Sequence, residues 1–437
     1  MLKKNNKGQK ILAEAKKIIP GGNQLLSKRS ENFLPNFWPN YYKSASGCVV
    51  KDLENKKYYD FAGMGVTSCT LGYSNKFINR KMYKAITNGS MCTLNSLEEF
   101  LLTKKLLKIH KWADMAKYTK SGGEACMVAI RIARAFSKKN NIAFCGYHGW
   151  HDWYLATNLV KKNNLDKQLL SGLSTKGVPG SYKDSIHPFF YNNIESLEKV
   201  LKKNSIGIII MEPMRSNKPE NNFLKKVKTL SKKYNCILIF DEITSGFHDH
   251  YGGIHLKYNV FPDMAIFGKS IANGYPISAI IGKRKIMNKA QESFISSTMW
   301  TDRIGFVAAI ATLELMKKNK VQKKIIKYGK YIKKKWSLIS KTTGVEINIS
   351  GQDSMPSFNF KNKNALKLMT FFTQEMLKKG FLASGLVSVS TSYNMKIINK
   401  YAQSFQEVFM LIEMYLKKKK KIPLIGPIKH STFRRLT

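Results

Sequence analysis

Ile237-Leu238-Ile239-Phe240-Asp241-Glu242 is a run of large apolar residues closed by two carboxylates. An unbroken apolar run of this length suits a strand covered on both faces, as in a parallel sheet flanked by helices. Similar runs recur over 206–212, 264–269 and 277–282, with shorter ones at 116–120 and 142–146. Amphipathic stretches such as 124–136 and 223–234 separate them, which is the alternation of βα units. The pattern predicts an α/β fold with a large domain over 86–315 built on a mostly parallel sheet. After about residue 315 the texture turns to Lys-rich helices, then to a mixed region over 344–392. A last helix follows, with Ile398, Ala402, Phe405, Phe409, Ile412 and Leu416 at helical spacing. The N-terminal segment 1–85 and the C-terminal segment 316–437 are expected to form a smaller α+β domain together.

In such sheets, ligands gather beyond the carboxyl ends of the strands. Four strand ends here carry residues with chemical potential. The first runs into Ser121-Gly122-Gly123-Glu124, a glycine turn before a helix, where close backbone approach and free N–H groups favour an anion such as phosphate. A plain glycine turn is the commoner cause of such a pattern. The second runs into Tyr147-His148-Gly149-Trp150-His151-Asp152, whose rings offer a planar ligand a stacking surface or are simply core aromatics and surface histidines. A metal at His148 and His151 would need a third ligand, and none stands nearby in sequence, so no metal is expected. The third is the strand that ends on Asp241, a carboxylate placed to hold a protonated pyridine nitrogen or, in an ATPase, magnesium. The GxxxxGK[ST] loop that would accompany nucleotide hydrolysis is absent from the sequence. The fourth, Met264-Ala265-Ile266-Phe267-Gly268-Lys269, ends on a lysine followed by apolar, glycine-rich Ile271-Ala272-Asn273-Gly274-Tyr275-Pro276. In a chain rich in lysine, its place at a buried strand end singles Lys269 out, because a desolvated amine has a lowered pKa and attacks aldehydes.

Composition bounds the remaining choices. The 437 residues are 43% hydrophobic, enough for a large core. No stretch approaches the roughly 18–20 apolar residues of a membrane span. The first 22 residues are Lys-rich and lack a compact apolar segment, which argues against a secretory signal. Cys48, Cys69, Cys92, Cys126, Cys145 and Cys236 form no CxxC pair, so reduced, buried thiols in a cytoplasmic protein are expected. A formal charge of +46 raises the question of nucleic acid. The excess is mostly lysine, spread along the chain and accompanied by abundant asparagine, which fits compositional drift better than a binding patch. The lysine run 417–421 reads as a solvated helix end. Neither a specific nucleic acid nor a membrane is expected as a partner.

Taken in order, SGGEA (121–125), YHGWHD (147–152), MEPMRSN (211–217), FDEITSGF (240–247) and GKSIANGYP (268–276) resemble the class-III aminotransferases, particularly the branch containing glutamate-1-semialdehyde aminomutase. The resemblance spans nearly the whole chain from about Gly21, and it implies a fold-type-I pyridoxal-phosphate-dependent transferase. Lys269 matches the lysine that carries pyridoxal 5'-phosphate as a Schiff base, and Asp241 the partner of the pyridine nitrogen. Ile243 matches the aliphatic residue under the ring, and Tyr147, followed by His148, the aromatic segment on the other face. Gly122 and Gly123 match the phosphate turn; Glu212 and Asn217 match further positions near the cofactor. Thr298 resembles the threonine that reaches the phosphate from a neighbouring subunit, which implies a homodimer.

The departures concern the substrate. Gly123 stands where the family often has Ser or Thr, and His248 replaces an arginine. Trp300-Thr301-Asp302-Arg303 replaces a Ser/Gly-Gly-Asn-Pro stretch. The aminomutase's carboxylate-binding arginine has only offset counterparts, Lys28 or Arg29, and its gating glutamate has no match within 387–393. The expectation is therefore amino-group transfer between a small amino donor and a carbonyl acceptor. An aminomutase-like aminotransferase, on a substrate such as a carbohydrate or surface-polysaccharide precursor, is favoured over a strict glutamate-1-semialdehyde 2,1-aminomutase. A non-catalytic, basic nucleic-acid-binding relative is the reading from another class, and retention of both Lys269 and Asp241 argues against it.

Overall fold

A computed structural model describes residues 2, 4, 6–168 and 171–431. Chain contacts divide it into two units, residues 1–75 with 323–437, and Lys76–Gln322. The sequence reading placed its boundaries at 85/86 and 315/316. The helix Lys76–Thr87 packs on the helix Arg303–Lys318, both within the second unit, which moves the first boundary N-terminally.

The first unit opens with the helix Lys7–Ile18, followed by strands β1 (Tyr42–Ser46), β2 (Val49–Asp52) and β3 (Lys57–Phe61), an antiparallel meander. The second contributes β4 (Met115–Thr119), β5 (Asn141–Cys145), β6 (Ile186–Pro188), β7 (Ile206–Met211), β8 (Ile237–Asp241), β9 (Met264–Phe267) and β10 (Ser278–Gly282). The first unit resumes with the antiparallel pair β11 (Ile347–Ser350) and β12 (Ser357–Phe360), and β13 (Phe381–Ala383) lies parallel to β3. Its C-terminal part also holds the helix Val321–Thr343, most of which falls in this unit, and the helices Ala365–Lys378 and Met395–Lys417. On the last helix Ile398, Ala402, Phe405, Phe409 and Ile412 are buried. Phe405 and Phe409 stack at 4.2 Å, with Phe358 and Phe372 packed against Phe405.

In the second unit the sheet runs β4-β10-β9-β8-β7-β5-β6. Only β10 is antiparallel, and because it opposes both β4 and β9 it leaves β4 parallel to the rest. The carboxyl ends of β4, β5, β7, β8 and β9 therefore open on one edge. Every residue of β7, β8 and β9 is buried, as continuous apolar runs demand. Each large aliphatic side chain buried there contributes roughly 1.5–3 kcal/mol. The helix Gly122–Ser137 lies across β4, β7, β8, β9 and β10 on a face of Ala125, Cys126, Ala129, Ile130 and Ala133. Its small residues let the backbone approach the sheet closely. Among the described residues no helix is long and apolar enough to cross a membrane. All six cysteines are free, and five are buried; Cys92 is exposed, against the expectation that all would be enclosed.

Candidate active site

β8 delivers Asp241 at its last position, 2% exposed. An unpaired carboxylate buried at the end of an apolar strand would cost several kcal/mol. Here Oδ1 accepts from the Ile243 backbone N–H at 3.0 Å, and Oδ2 faces His148 Nδ1 at 2.8 Å. The Cys126 thiol donates to Oδ2 at 3.5 Å, and burial pushes that thiol far up, so it keeps its proton. His148 Nε2 faces the Cys145 carbonyl at 3.1 Å, so both ring nitrogens meet oxygen acceptors. The third neighbour that sequence spacing did not supply for His148 thus comes from other elements. The ligand atoms of Cys126, His148 and Asp241 lie within 4.8 Å of one another and are joined by these hydrogen bonds. Asp241 Oδ1, with a single donor, retains acceptor capacity for a further proton.

β9 ends on Phe267, and after Gly268 the chain turns through Lys269 with φ 47°, a left-handed conformation that L-residues rarely adopt. The Lys269 ammonium donates to Thr244 Oγ1 at 2.8 Å. Burial lowers its pKa to about 8, and the nearby Arg215 guanidinium adds to the lowering, while Glu212 and Asp241 oppose it. A lysine so placed is a usable amine near neutral pH. Ile243 sits between the two glycine positions: a Cβ on Gly122 would meet its Cδ1 at 2.8 Å, and one on Gly268 its Cγ2 at 3.4 Å.

The helix that follows β4 starts with a capping box. Glu124 Oε2 accepts from the Ser121 N–H at 2.8 Å and the Lys120 N–H at 3.1 Å, and Ser121 Oγ accepts from the Glu124 N–H. The N–H groups of Gly122 and Gly123 are given no acceptor among the described residues, which leaves the helix N-terminus open to an anion. Lys120 pairs with Asp302 at 2.8 Å and the Trp300 indole reaches Glu124 Oε1 at 3.4 Å, so the segment Thr298–Thr301 is held beside this turn. Thr298 itself is exposed.

β5 ends at Cys145, and the loop beyond it is pinned by Glu212 from the end of β7, whose Oε2 accepts from the Tyr147 N–H at 3.0 Å. Gly146 has φ 107°, and a Cβ there would lie 2.7 Å from Glu212 Oε2. Arg215 donates through Nη1 to both Glu212 oxygens at 2.8 Å, and its guanidinium lies 6.0 Å from the Tyr147 ring centre. Its remaining donors have no acceptor among the described residues. Sequence reading quoted Arg215 within a motif without giving it a role; a cation three residues from a strand-end Glu was the available signal. It also missed Cys126 and Thr244, and for these no sequence signal existed.

The second unit therefore assembles Gly122, Gly123, Tyr147, His148, Glu212, Asp241, Ile243 and Lys269 along one sheet edge. Asn217 is exposed on the loop after β7, without a hydrogen bond to this group among the described residues. Lys28 and Arg29 belong to the other unit, Lys28 closing a single-turn helix and Arg29 packed against Gly21. A flat, anionic cofactor fits what is present: unpaired N–H donors for a phosphate, glycines that leave room beside Ile243, a buried carboxylate with spare lone pairs, and an amine with a lowered pKa.

The family model for class-III aminotransferases matches residues 34–405. A 3-aminobutyryl-CoA aminotransferase from Cloacimonas acidaminovorans is 32% identical over 84% of this chain and 87% of its own. A glutamate-1-semialdehyde 2,1-aminomutase from Wigglesworthia glossinidia brevipalpis is also 32% identical, over 94% and 99%. Among solved structures, the FumI protein of Sphingopyxis sp. MTA144 superposes with a TM-score of 0.85 at 21% identity, covering 94% of this chain and 98% of that one. An omega-transaminase from Sphaerobacter thermophilus gives 0.82 at 19% identity, covering 93% and 98%. The chain belongs to the class-III aminotransferase family, the pyridoxal-phosphate-dependent enzymes whose motifs it resembles. Its substrate is a separate question, since relatives equally similar to it carry both aminotransferase and aminomutase names.

Proposed function

We propose that the chain is a homodimeric aminotransferase whose amino donor carries an anionic group, and that Lys269 is its catalytic lysine. The observation that carries this is the Lys269 amine, its pKa lowered to about 8 by burial, standing on the same sheet edge as the buried Asp241 carboxylate. Bound pyridoxal phosphate supplies an aldehyde for the donor's amine and a ring that accepts electrons. The Gly122 and Gly123 N–H groups would hold its phosphate, and Tyr147 and Ile243 would offer surfaces for its ring. Asp241 holds a proton on the ring nitrogen, with Cys126 and His148 fixing the carboxylate's orientation. Lys269 Nζ, steadied by Thr244, takes the proton from the donor's Cα and returns a proton during transfer. The open edge of Arg215 receives the donor's carboxylate in a paired, charge-assisted contact.

Several features support a dimer. Leu94, Leu97 and Phe100 are largely exposed, Leu94 by 79% and Leu97 by 65%, and Ile86 and Leu101 adjoin them in sequence. Arg303 ties this stretch to the segment after Thr298, through Glu98 at 2.8 Å and the Ser90 carbonyl at 2.9 Å. Exposed apolar side chains tied to the segment after Thr298 suit a second copy that completes each phosphate site with Thr298 of the partner subunit. A cytoplasmic location accords with the free thiols.

Transferase and mutase separate on stoichiometry. Offered a donor such as L-glutamate and a set of carbonyl acceptors, the enzyme should release a keto acid only when an acceptor is present. Isomerisation of glutamate-1-semialdehyde with no second substrate would assign it to the mutases instead. Arg215→Met should raise KM for carboxylate-bearing donors by roughly 10-fold or more, while a plain amine donor loses little. Equal loss on both donors would remove Arg215 from the substrate site.

A further inference from the structure

The loop from Gly146 to His151 lies directly against the glycine turn. Gly149 has φ 100°, and a Cβ on it would stand 2.9 Å from the Gly123 Cα. A Cβ on Gly123 would meet the His151 ring, 3.2 Å from Cδ2 and 3.4 Å from Nε2, with the Trp150 indole nitrogen 3.6 Å away. A side chain at position 123 would therefore start in tight contact with the His151 ring. The imidazole is fixed by stacking on Trp150 at 4.4 Å and 18°. Its Nε2 is buried and has no hydrogen-bond partner. A buried ring nitrogen without a partner is costly, and the residue beside this one is Gly123, in the turn whose N–H groups have no acceptor among the described residues.

We infer that His151 is a phosphate-binding residue for the cofactor, and that its imidazole replaces the hydroxyl missing at Gly123. The inference rests on the reading that the Gly122-Gly123 turn holds that phosphate. Glycine at 123 gives the His151 ring room, and the ring offers a contact that glycine cannot. Burial lowers the His151 pKa, while Glu124 and Asp152 oppose the shift.

Equilibrium binding of pyridoxal phosphate and of pyridoxal, which lacks the phosphate, to the full cofactor-stripped chain tests this by absorbance titration. The amine of Lys269 serves both ligands alike, so their difference isolates the phosphate. His151→Ala should weaken pyridoxal phosphate about 10-fold or more and leave pyridoxal within about 2-fold. His151→Gln, which keeps a donor, should retain most of the affinity, and Gly123→Ser combined with His151→Ala should recover at least half of the logarithmic loss. Equal weakening of both ligands, or of neither, overturns the inference. If the unsubstituted chain binds the two ligands equally well, the phosphate-turn reading itself fails, which is a separate result.

Discussion

At Lys269 two costs coincide, a left-handed backbone under a side chain and an ammonium withdrawn from water. The first alone amounts to about 1–3 kcal/mol, and such strain persists where the surrounding structure enforces it. The second has a pH signature. The unfolded chain keeps its lysine protonated up to about 10.5, whereas the folded site releases the proton near 8. Below pH 8 the full cost is present, and between about 8 and 10.5 it disappears, so folding gains stability as pH rises through that window. The cofactor-free Lys269→Met variant should therefore be more stable than the parent at pH 7, on the order of 1–3 kcal/mol, with the gap closing towards pH 10. Thermal melts that show no gap at pH 7, or one that widens with pH, would refute the burial argument. Asp241→Asn keeps the volume and removes the charge, so turnover should fall at least ~10²-fold with a smaller loss of cofactor affinity; near-normal turnover would place the ring elsewhere. Both residues were legible because each closes an apolar run. Adjacent strand residues face opposite ways, which also separates Asp241 from Glu242: the latter is fully buried and accepts from His255 at 2.9 Å. Cys126 and Thr244 were not legible, since Cys126 meets Asp241 across 115 positions of chain through packing alone.

At the scale of elements, the βα architecture could be read because β7, β8 and β9 are buried on both faces and leave unbroken apolar runs. β6 escaped notice: it is three residues long, includes His187 and Pro188, and pairs only along β5 at the sheet edge. β1 is largely exposed and β11 half-buried, so neither carries a run that distinguishes strand from loop. The loop after β5 read as a row of aromatics, yet what positions it is glycine. Gly149→Ala would add strain at φ 100° and press a methyl on Gly123. A loss of about 1–3 kcal/mol is expected, with weaker cofactor binding. Unchanged denaturant unfolding and cofactor affinity in this variant would mean the loop does not bear on the turn.

For the whole molecule, charge and assembly make separate statements. The excess of 74 basic over 28 acidic side chains is spread along the chain, with Lys417 already paired to Glu413 at the start of the densest run. Retention on DNA should be weak and indifferent to sequence at low salt and vanish near physiological salt, since log affinity falls by about 0.9 per phosphate contact per log unit of salt. Sequence-selective retention at physiological salt would revive a nucleic-acid role. For the proposed dimer, the exposed apolar residues over 86–101 predict that Leu97→Glu with Phe100→Glu leaves a monomer in light scattering, with loss of amino transfer. A variant still dimeric and active would move the interface off this face. Sequence reading anticipated a dimer only through its family resemblance, because exposure of an apolar helix face is invisible until the fold is known.

Borohydride reduction of the purified protein, followed by peptide mapping, addresses the central claim most directly. Lys269 and Lys429 both have pKa values lowered to about 8 by burial, so amine reactivity alone does not separate them. Of the two, Lys269 belongs to the unit that carries Asp241, Ile243 and the glycine turn. The account predicts a yellow protein that borohydride bleaches, leaving a single pyridoxyl group on Lys269 Nζ and none on the Lys269→Met variant. A group mapped to Lys429 or any other lysine, or a colourless protein that captures no added pyridoxal phosphate, would contradict it.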